Sequence, residues 1–541
     1  MTDYGMECDV SAPQERERWL SGRKLRMLLC AAGASFVIML DANIVAVSLP
    51  SIARDLHGEF TDVEWVVSAY ILPFAALLMP AGALADRWGR RRILLWGLSI
   101  FTAASLLCGL APGLPLLNGA RALQAVGAAL LLSAAMAVIS RGFQAHERVR
   151  AFAIWGTVMG LAPTMGPVVG GLITSYFGWR WAFLVNIPIG VTLISLSVNA
   201  IDESRDPDAR RLDIAGILLF GGGLFGVVWA LIDANAVGWG SGATHLKLTV
   251  GAILLCAFIA AERLQQRPMV DLSLFRDRTF VGAAIAMFGY AGTAQVMMTI
   301  LPLYLQDAFG QSPAVAGLAM IPFALPLLIF PTIGGKLSAS MSGRALLTLG
   351  LAMVALGNAV TAGAVGIGLG YWAAGVGMFV TGSGAGLLNS ETAKAQISAV
   401  PVARAGMAGG IAATTRFMGI VMGLAGLGAV LTTVAEENLR GLGMPLVADK
   451  VIDWHGLSLR IVGGDASSGL SALPNEIRRA LEPAVHESVA AGFGAALTIG
   501  AIAAALSGIS TWLLIRTADT RATVPEVERG SRRKGSNSEI S

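Results

Sequence analysis

The sequence predicts an all-α integral membrane protein with fourteen transmembrane helices, and three observations predict it. Only 14% of its 541 residues are charged, 55% are hydrophobic, and the mean hydropathy is +0.67; a soluble domain carries about a quarter charged residues. Apolar stretches of about twenty residues, enough to cross the hydrocarbon core as a helix, recur fourteen times. Lys and Arg gather in alternate connections, as the positive-inside rule requires of short cytoplasmic loops.

The first span, 27–50, follows a basic run (Arg16, Arg18, Arg23, Lys24, Arg26). It is too long for a secretory signal and carries Asp41, so it reads as an uncleaved first helix. Spans 65–85 and 93–112 flank Arg87, Arg90, Arg91 and Arg92; spans 117–140 and 149–173 flank Arg141, Arg148 and Arg150. Next come 181–201 and 213–232 around Arg205, Arg210 and Arg211, then 246–262 and 279–303 around Arg263, Arg267, Arg276 and Arg278. The remaining spans are 313–337, 344–364, 370–390, 409–433 and 490–516, and the intervening short loops hold little beyond Arg54, Arg180 and Lys247. An even number of spans puts both termini in the cytoplasm. One outer loop, 434–489, is long, with an amphipathic helix expected around Glu476 to Glu487; it reads as a solvated cap or a gating element. Residues 517–541 are expected to be a disordered cytoplasmic tail.

Composition also excludes. The net charge is +4, and the basic residues lie in short clusters between apolar stretches, which argues against nucleic-acid binding. Cys8, Cys30, Cys108 and Cys256 form no CxxC pair, so neither a disulfide framework nor a metal site is expected. The five histidines are dispersed and no Gly-Lys phosphate loop is present; an enzyme, an ATP-driven pump and a cofactor are not expected.

Polar groups at membrane depth carry the chemistry, because a charge there costs on the order of 3 kcal/mol even on lenient scales. Asp41 sits inside the first span with Ser48 two turns away on the same face; it reads as a proton carrier or as a structural acid. Arg121 lies in the fourth span with Asn118 and Gln124 three residues to either side, a shared helix face. An always-charged guanidinium there needs a carboxylate, carbonyls or water, and near Asp41 it would tune when a proton binds. In the fifth span Gly156, Gly160, Pro163, Pro167, Gly170 and Gly171 recur at short spacing and give a bent, smooth face for close helix packing. GALADRWGRR from Gly82 and GGKLSASMSGR from Gly334 form a weak repeat, with Ala339 near the place of Asp86.

These residues together resemble the major facilitator superfamily, and more narrowly its fourteen-span drug:proton antiporters. Gly82, Leu84, Ala85, Asp86, Arg87, Gly89, Arg90 and Arg91 resemble the superfamily's loop signature between helices two and three. Arg121, Gln124 and Gly127 are similar to its fourth-helix signature, with Ala125 in place of Gly. Gly166, Pro167, Gly170 and Gly171 are similar to the antiporter signature of helix five, with Ala162 where Gly is usual. WRWAFLVNIPIG from Trp179, LDIAG from Leu212, LSLFRDRTF from Leu272, LPLYLQ from Leu301 and Arg416 point to the fourteen-span subgroup.

The resemblance implies a major facilitator fold: two six-helix bundles, 27–201 and 279–516, joined by a 202–278 linker with two inserted helices, after a cytoplasmic segment 1–26. It implies alternating access and proton-driven export of drugs or other small amphiphilic toxic compounds through a bacterial inner membrane. Transport of one dedicated metabolite is the alternative. Asp41 and Arg121 are the expected proton-coupling residues, and Gly82, Asp86, Arg87, Gly89, Arg90 and Arg91 the conformational latch. Gln124, Gln295, Met298, Asn389 and Arg416 are expected to line the substrate cavity. The expected partners are substrate, protons and lipid; a periplasmic adaptor is left open.

Overall fold

The computed structural model of the chain describes residues 22–143, 145–205, 213–265, 270–307, 310–400, 405–447, 453–464, 470 and 474–516. The expected tail, 517–541, and the N-terminal segment up to residue 21 lie outside the described residues.

The first bundle comprises α1 (Arg23–Leu56), α2 (Phe60–Trp88), α3 (Arg90–Gly109), α4 (Leu114–Gly142), α5 (Ala145–Phe177) and a sixth span split into α6 (Trp181–Leu184) and α7 (Asn186–Ala200). Helix α2 opens on a capping box in which the Glu59 amide donates to Asp62 Oδ2 at 2.9 Å, satisfying a first-turn donor. It ends at Gly89, whose φ of 110° permits the sharp entry into α3. Two helices follow, α8 (Ile214–Val237) and α9 (Gly242–Leu264). Asp213 caps α8 through the Gly216 amide at 2.8 Å. Burial pushes its carboxyl up, but the bonds from Gly216, Gln265 and Glu262 outweigh that and hold it below the usual value.

The second bundle begins with α10 (Arg278–Tyr290), a π-helical turn at Ala291–Gln295 and α11 (Met297–Asp307), which together make one span. Then α12 (Pro313–Ala319) and α13 (Ile321–Leu337) form a span bent by 42°, with prolines at 313, 322, 326 and 331 removing backbone donors. It closes with α14 (Gly343–Gly366), α15 (Tyr371–Ser398), α16 (Ala405–Val447), a short α17 (Trp454–Val462) and α18 (Asn475–Leu514). Helices α1 to α5 and α7 pack among themselves, as do α10 to α16 and α18, while α8 touches both α2 and α16.

Among the described residues twelve helices are long and apolar enough to span, or thirteen with the bent pair, against an expected fourteen. The remaining expected span, 370–390, is α15, which carries five glycines between Gly375 and Gly386. Those glycines lower its hydropathy, and they serve packing: a Cβ on Gly384 would lie 2.5 Å from the Gly350 carbonyl of α14, and one on Gly386 2.8 Å from the Pro326 carbonyl of α13. A helix seated this deeply among neighbours needs little lipid-facing hydrocarbon.

The long loop differs from expectation. Helix α16 continues to Val447 and α18 begins at Asn475, so the amphipathic stretch near Glu476 is the first part of the last helix, and only α17 stands between them among the described residues. Helix α17 lies over the turn between α1 and α2. There Arg460 pairs with Glu59 at 3.7 Å, and Gly464, at φ 96°, comes so close to Pro50 that a Cβ would lie 2.7 Å from its Cα.

Candidate functional site: a buried ion pair beside an inter-bundle cleft

Asp41 and Arg121 meet inside the first bundle, the guanidinium Nη1 donating to Asp41 Oδ2 at 2.6 Å, with both side chains at 1% exposure or less. Partial charges from four helices complete the network. Gln124 Nε2 donates to Asp41 Oδ1 at 3.0 Å and to Ser105 Oγ at 2.8 Å. Asn186 Nδ2 donates to the same Asp41 Oδ1 at 2.6 Å. Arg121 also donates to the Val66 carbonyl at 3.1 Å and to Gln124 Oε1 at 2.6 Å, and lies 4.1 Å over the Tyr70 ring and 5.7 Å from that of Phe183. Such a pair survives out of water only because nearly every donor and acceptor is matched, and the arginine is charged throughout.

Gln124, expected in the substrate cavity, belongs instead to this network: it is fully buried, because its position one turn from Arg121 turns it toward Asp41. Sequence reasoning also missed Asn186, Ser105 and Tyr70. Asn186 was visible as a lone amide in an apolar run, WRWAFLVNIPIG; Ser105 and Tyr70 gave no signal, since such residues pack in many helices. Asn118 does not join the group among the bonds of Asp41. Ser48, on the face below Asp41, pairs with Thr174 of α5 at 2.7 Å.

Gln295, Met298, Asn389 and Arg416 come together with Gly160, Pro163 and Tyr290 around a cleft between the bundles. Arg416 Nε donates to Gln295 Oε1 at 2.8 Å, and the Tyr290 hydroxyl donates to Asn389 Oδ1 at 3.3 Å. The π-turn positions this corner, since one extra residue in the turn swings Gln295 off the helical register of Tyr290. The adjacent Met297 is 2% exposed and packs in the core.

Along α5 the glycines divide into two sets. Gly166 and Gly170 sit against Asn43 and Ile44 of α1, with a Cβ at Gly170 only 2.8 Å from Ile44 Cα; Gly171 sits against the Pro313 carbonyl of the other bundle, and Gly317 of α12 against that of Pro167. Gly156 and Gly160 have nothing within 4 Å of a would-be Cβ. Among the described residues, further contacts between bundles lie in the middle, at Phe74 and Phe417 with ring centroids 4.6 Å apart, and at the same end as Gly171. Gln306 Nε2 donates to the Val47 carbonyl at 3.0 Å and the Ala314 amide to Ser175 at 2.9 Å. The contacts that close the cleft are thus found in its middle and at the α17 end.

At the opposite end Asp86 Oδ1 accepts from Arg90 at 2.5 Å, Arg91 donates to the Val198 carbonyl at 2.7 Å and Arg92 pairs with Glu203 at 3.6 Å. Gly89 admits the Glu203 carboxylate against its bare Cα. Arg87 is exposed and Gly82 has open space beside it. In the second bundle, where the repeat has Ala339, an acid arrives from another helix: Glu391 of α15 lies 3.7 Å from a Cβ placed on Gly334 and pairs with Lys394 at 3.3 Å. The sequence repeat could not show this, because the acid is distant in the chain.

A two-bundle helical membrane fold with a buried ion pair beside a cleft between the bundles is the arrangement of a membrane transporter. The chain belongs to the Major Facilitator Superfamily, whose family model matches residues 31–433. It is 36% identical over 417 residues, 77% of each chain, to the multidrug resistance protein Stp of Mycobacterium tuberculosis. Over 520 residues, 94% of each chain, it is 28% identical to the tetracenomycin C resistance and export protein of Streptomyces glaucescens. Its fold matches the crystal structure of a bacterial homolog of the human lysosomal transporter Spinster with a TM-score of 0.63, at 15% identity, covering 92% of this chain and 99% of that one.

Proposed function

We propose that this chain is a proton-coupled antiporter that exports drugs or other small amphiphilic toxic compounds across a bacterial plasma membrane, with its basic loops and both termini in the cytoplasm. The relatives named for multidrug resistance and antibiotic export support the export of such compounds. The observation that carries the coupling is the buried Asp41–Arg121 pair. It sits on α1, the helix that also packs on the glycine face of α5 and reaches Gln306 of the opposite bundle. Protonating Asp41 removes one charge of a matched pair, so the ties from α1 to α4 and α7 weaken and α1 can shift against both partners. The two bundles, 27–201 and 279–516, then rock about the cleft.

In the cytoplasm-open form a solute enters beside Arg416, whose partner is the neutral amide of Gln295. An arginine without a carboxylate partner favours solutes that offer an electron-rich or anionic group, and Tyr290, Phe323 and Met298 nearby supply adaptable apolar surface. Asp86 and its arginines hold the cytoplasmic loop, and re-pair when that side closes. A transporter dedicated to one metabolite is the second reading, favoured by the single-compound name of the Streptomyces relative.

The test is flux into proteoliposomes carrying purified protein under an imposed pH gradient, with dyes and antibiotics as probes. Uphill movement that stops when the gradient is collapsed supports antiport. Flux indifferent to the gradient ends the proposal.

A further inference from the structure

We infer that the Asn186 side-chain amide turns over when Asp41 takes up its proton, donating to the carboxylate and accepting from the carboxyl, so that the sixth span reads the protonation state directly. This rests on the reading above that Asp41 is the carrier. Asn186 is fully buried at the start of α7, just after the break at Val185. Its Nδ2 donates to Asp41 Oδ1 at 2.6 Å, and its own Oδ1 is buried and accepts from no described residue. With Asp41 ionised the amide must sit this way round, because the other way sets oxygen against oxygen.

Protonation reverses what Asp41 Oδ1 needs. It then carries an O–H, yet two N–H groups point at it, from Gln124 and Asn186, while Oδ2 keeps the bond from Arg121. Gln124 is held in place: its Oε1 accepts from Arg121 and its Nε2 also donates to Ser105. Ser105 in turn donates to the Phe101 carbonyl at 2.8 Å. Among the groups that touch the carboxyl, the spare acceptor is therefore Asn186 Oδ1, and half a turn about its Cβ–Cγ bond brings that oxygen to the proton. The charge-assisted bond of the ionised state becomes a neutral one, about half as strong, so α7 is held to α1 more weakly at this level. At the outer end the same span stays tied, with Trp179 Nε1 and Arg180 Nη1 donating to Asp55 of α1 at 3.0 and 2.7 Å. The sixth span can then hinge on α1 about Asp55.

The ionisable groups around the pair do not substitute for Asn186. Arg121 of α4 only donates. The Tyr70 phenol of α2 donates to the Ile38 carbonyl at 3.5 Å, and the Cys108 thiol of α3 donates to Gln124 Oε1 at 3.9 Å. Helix α7 itself carries no ionisable residue. Glu64 of α2 lies against Gly428 of α16, and Tyr304 of α11 stacks on Phe493 of the second bundle. On α1, α5 and α11 the remaining ionisable residues lie toward the helix ends.

The test is infrared difference spectroscopy of the full-length protein in lipid membranes, acid minus alkaline, with neither gradient nor solute, after growth on asparagine carrying 13C at the side-chain carbonyl. The carboxyl band that Asp41→Asn removes identifies Asp41. A labelled amide carbonyl band should move to lower frequency over the same pH range in which that carboxyl band grows, and Asp41→Asn should abolish the movement. In Asn186→Leu the amide change should be lost, and the Asp41 carboxyl band should change frequency because its O–H loses its acceptor. Should Asn186→Leu fail to fold, the labelled parent against Asp41→Asn still decides. An Asp41 band that grows while no asparagine amide moves with it, or that keeps its frequency in Asn186→Leu, overturns the inference and leaves the carrier assignment standing. Absence of any Asp41 band strikes the carrier assignment, and this inference with it.

Discussion

Replacing Asp41 by Asn tests the coupling with little change of shape. In the parent protein the carboxylate accepts from Arg121, Gln124 and Asn186; an amide of the same size keeps one acceptor oxygen and loses the charge. The Arg121 guanidinium then stays buried opposite a neutral group. Removing one partner of a buried pair outright costs about 3–5 kcal/mol, and the retained bonds to Val66 and Gln124 should bring the cost toward the lower value. Folding should survive, as a lower melting temperature with an unchanged elution profile. Function should not survive. One proton carried per cycle on this carboxyl, as proposed above, is worth about 2.3 kcal/mol from 100 mV and about 1.4 kcal/mol from one pH unit. At about 1.4 kcal/mol per tenfold, about 3.7 kcal/mol sustains a gradient of several hundredfold for a neutral solute. The assay is the steady-state ratio of a fluorescent substrate across proteoliposomes under a fixed gradient of about one pH unit together with a membrane potential of about 100 mV: several hundredfold at most for the parent and about one for Asp41→Asn, with downhill exchange retained. A variant that still concentrates substrate refutes the assignment of the proton to Asp41.

Other outcomes follow from the same geometry. Arg121→Lys keeps the charge but loses the planar fork that reaches Asp41, Gln124 and Val66 together, so coupled export should fall at least tenfold while membrane insertion is normal, measured by the same flux ratio. Gly170→Val should abolish transport and lower thermal stability by about 1–3 kcal/mol through overpacking on Ile44, whereas Gly156→Ala, facing open space, should leave both within about 1 kcal/mol of the parent; thermal melts and flux separate the two. Asp213→Ala should cost about 1 kcal/mol as a lost helix cap. Since the folded carboxyl sits below its ordinary value, the ionised cap stabilises above that value and is lost as pH falls through the acid range below about 4; urea titrations at pH 7 and pH 3 should show the variant's deficit shrinking.

The sequence by itself determined the class of fold. Runs of twenty apolar residues can bury their backbone polar groups in lipid only as helices, and arginines at 87, 90, 91 and 92 can sit only at one end of them. It also marked Asp41 and Arg121, because ionisable groups at such depth are costly enough to be informative one at a time. Only the tertiary structure decided which polar residues share a site. Asn186 is 145 positions from Asp41, and Gln124 turns from the expected cleft to the ion pair by its place on one helix face. The extents of α16 and α18, the bend after Ala319 and the acid that Glu391 supplies to the second bundle belong to the same class. Each depends on how closely two helices approach, which is fixed by packing between distant segments and not by local periodicity.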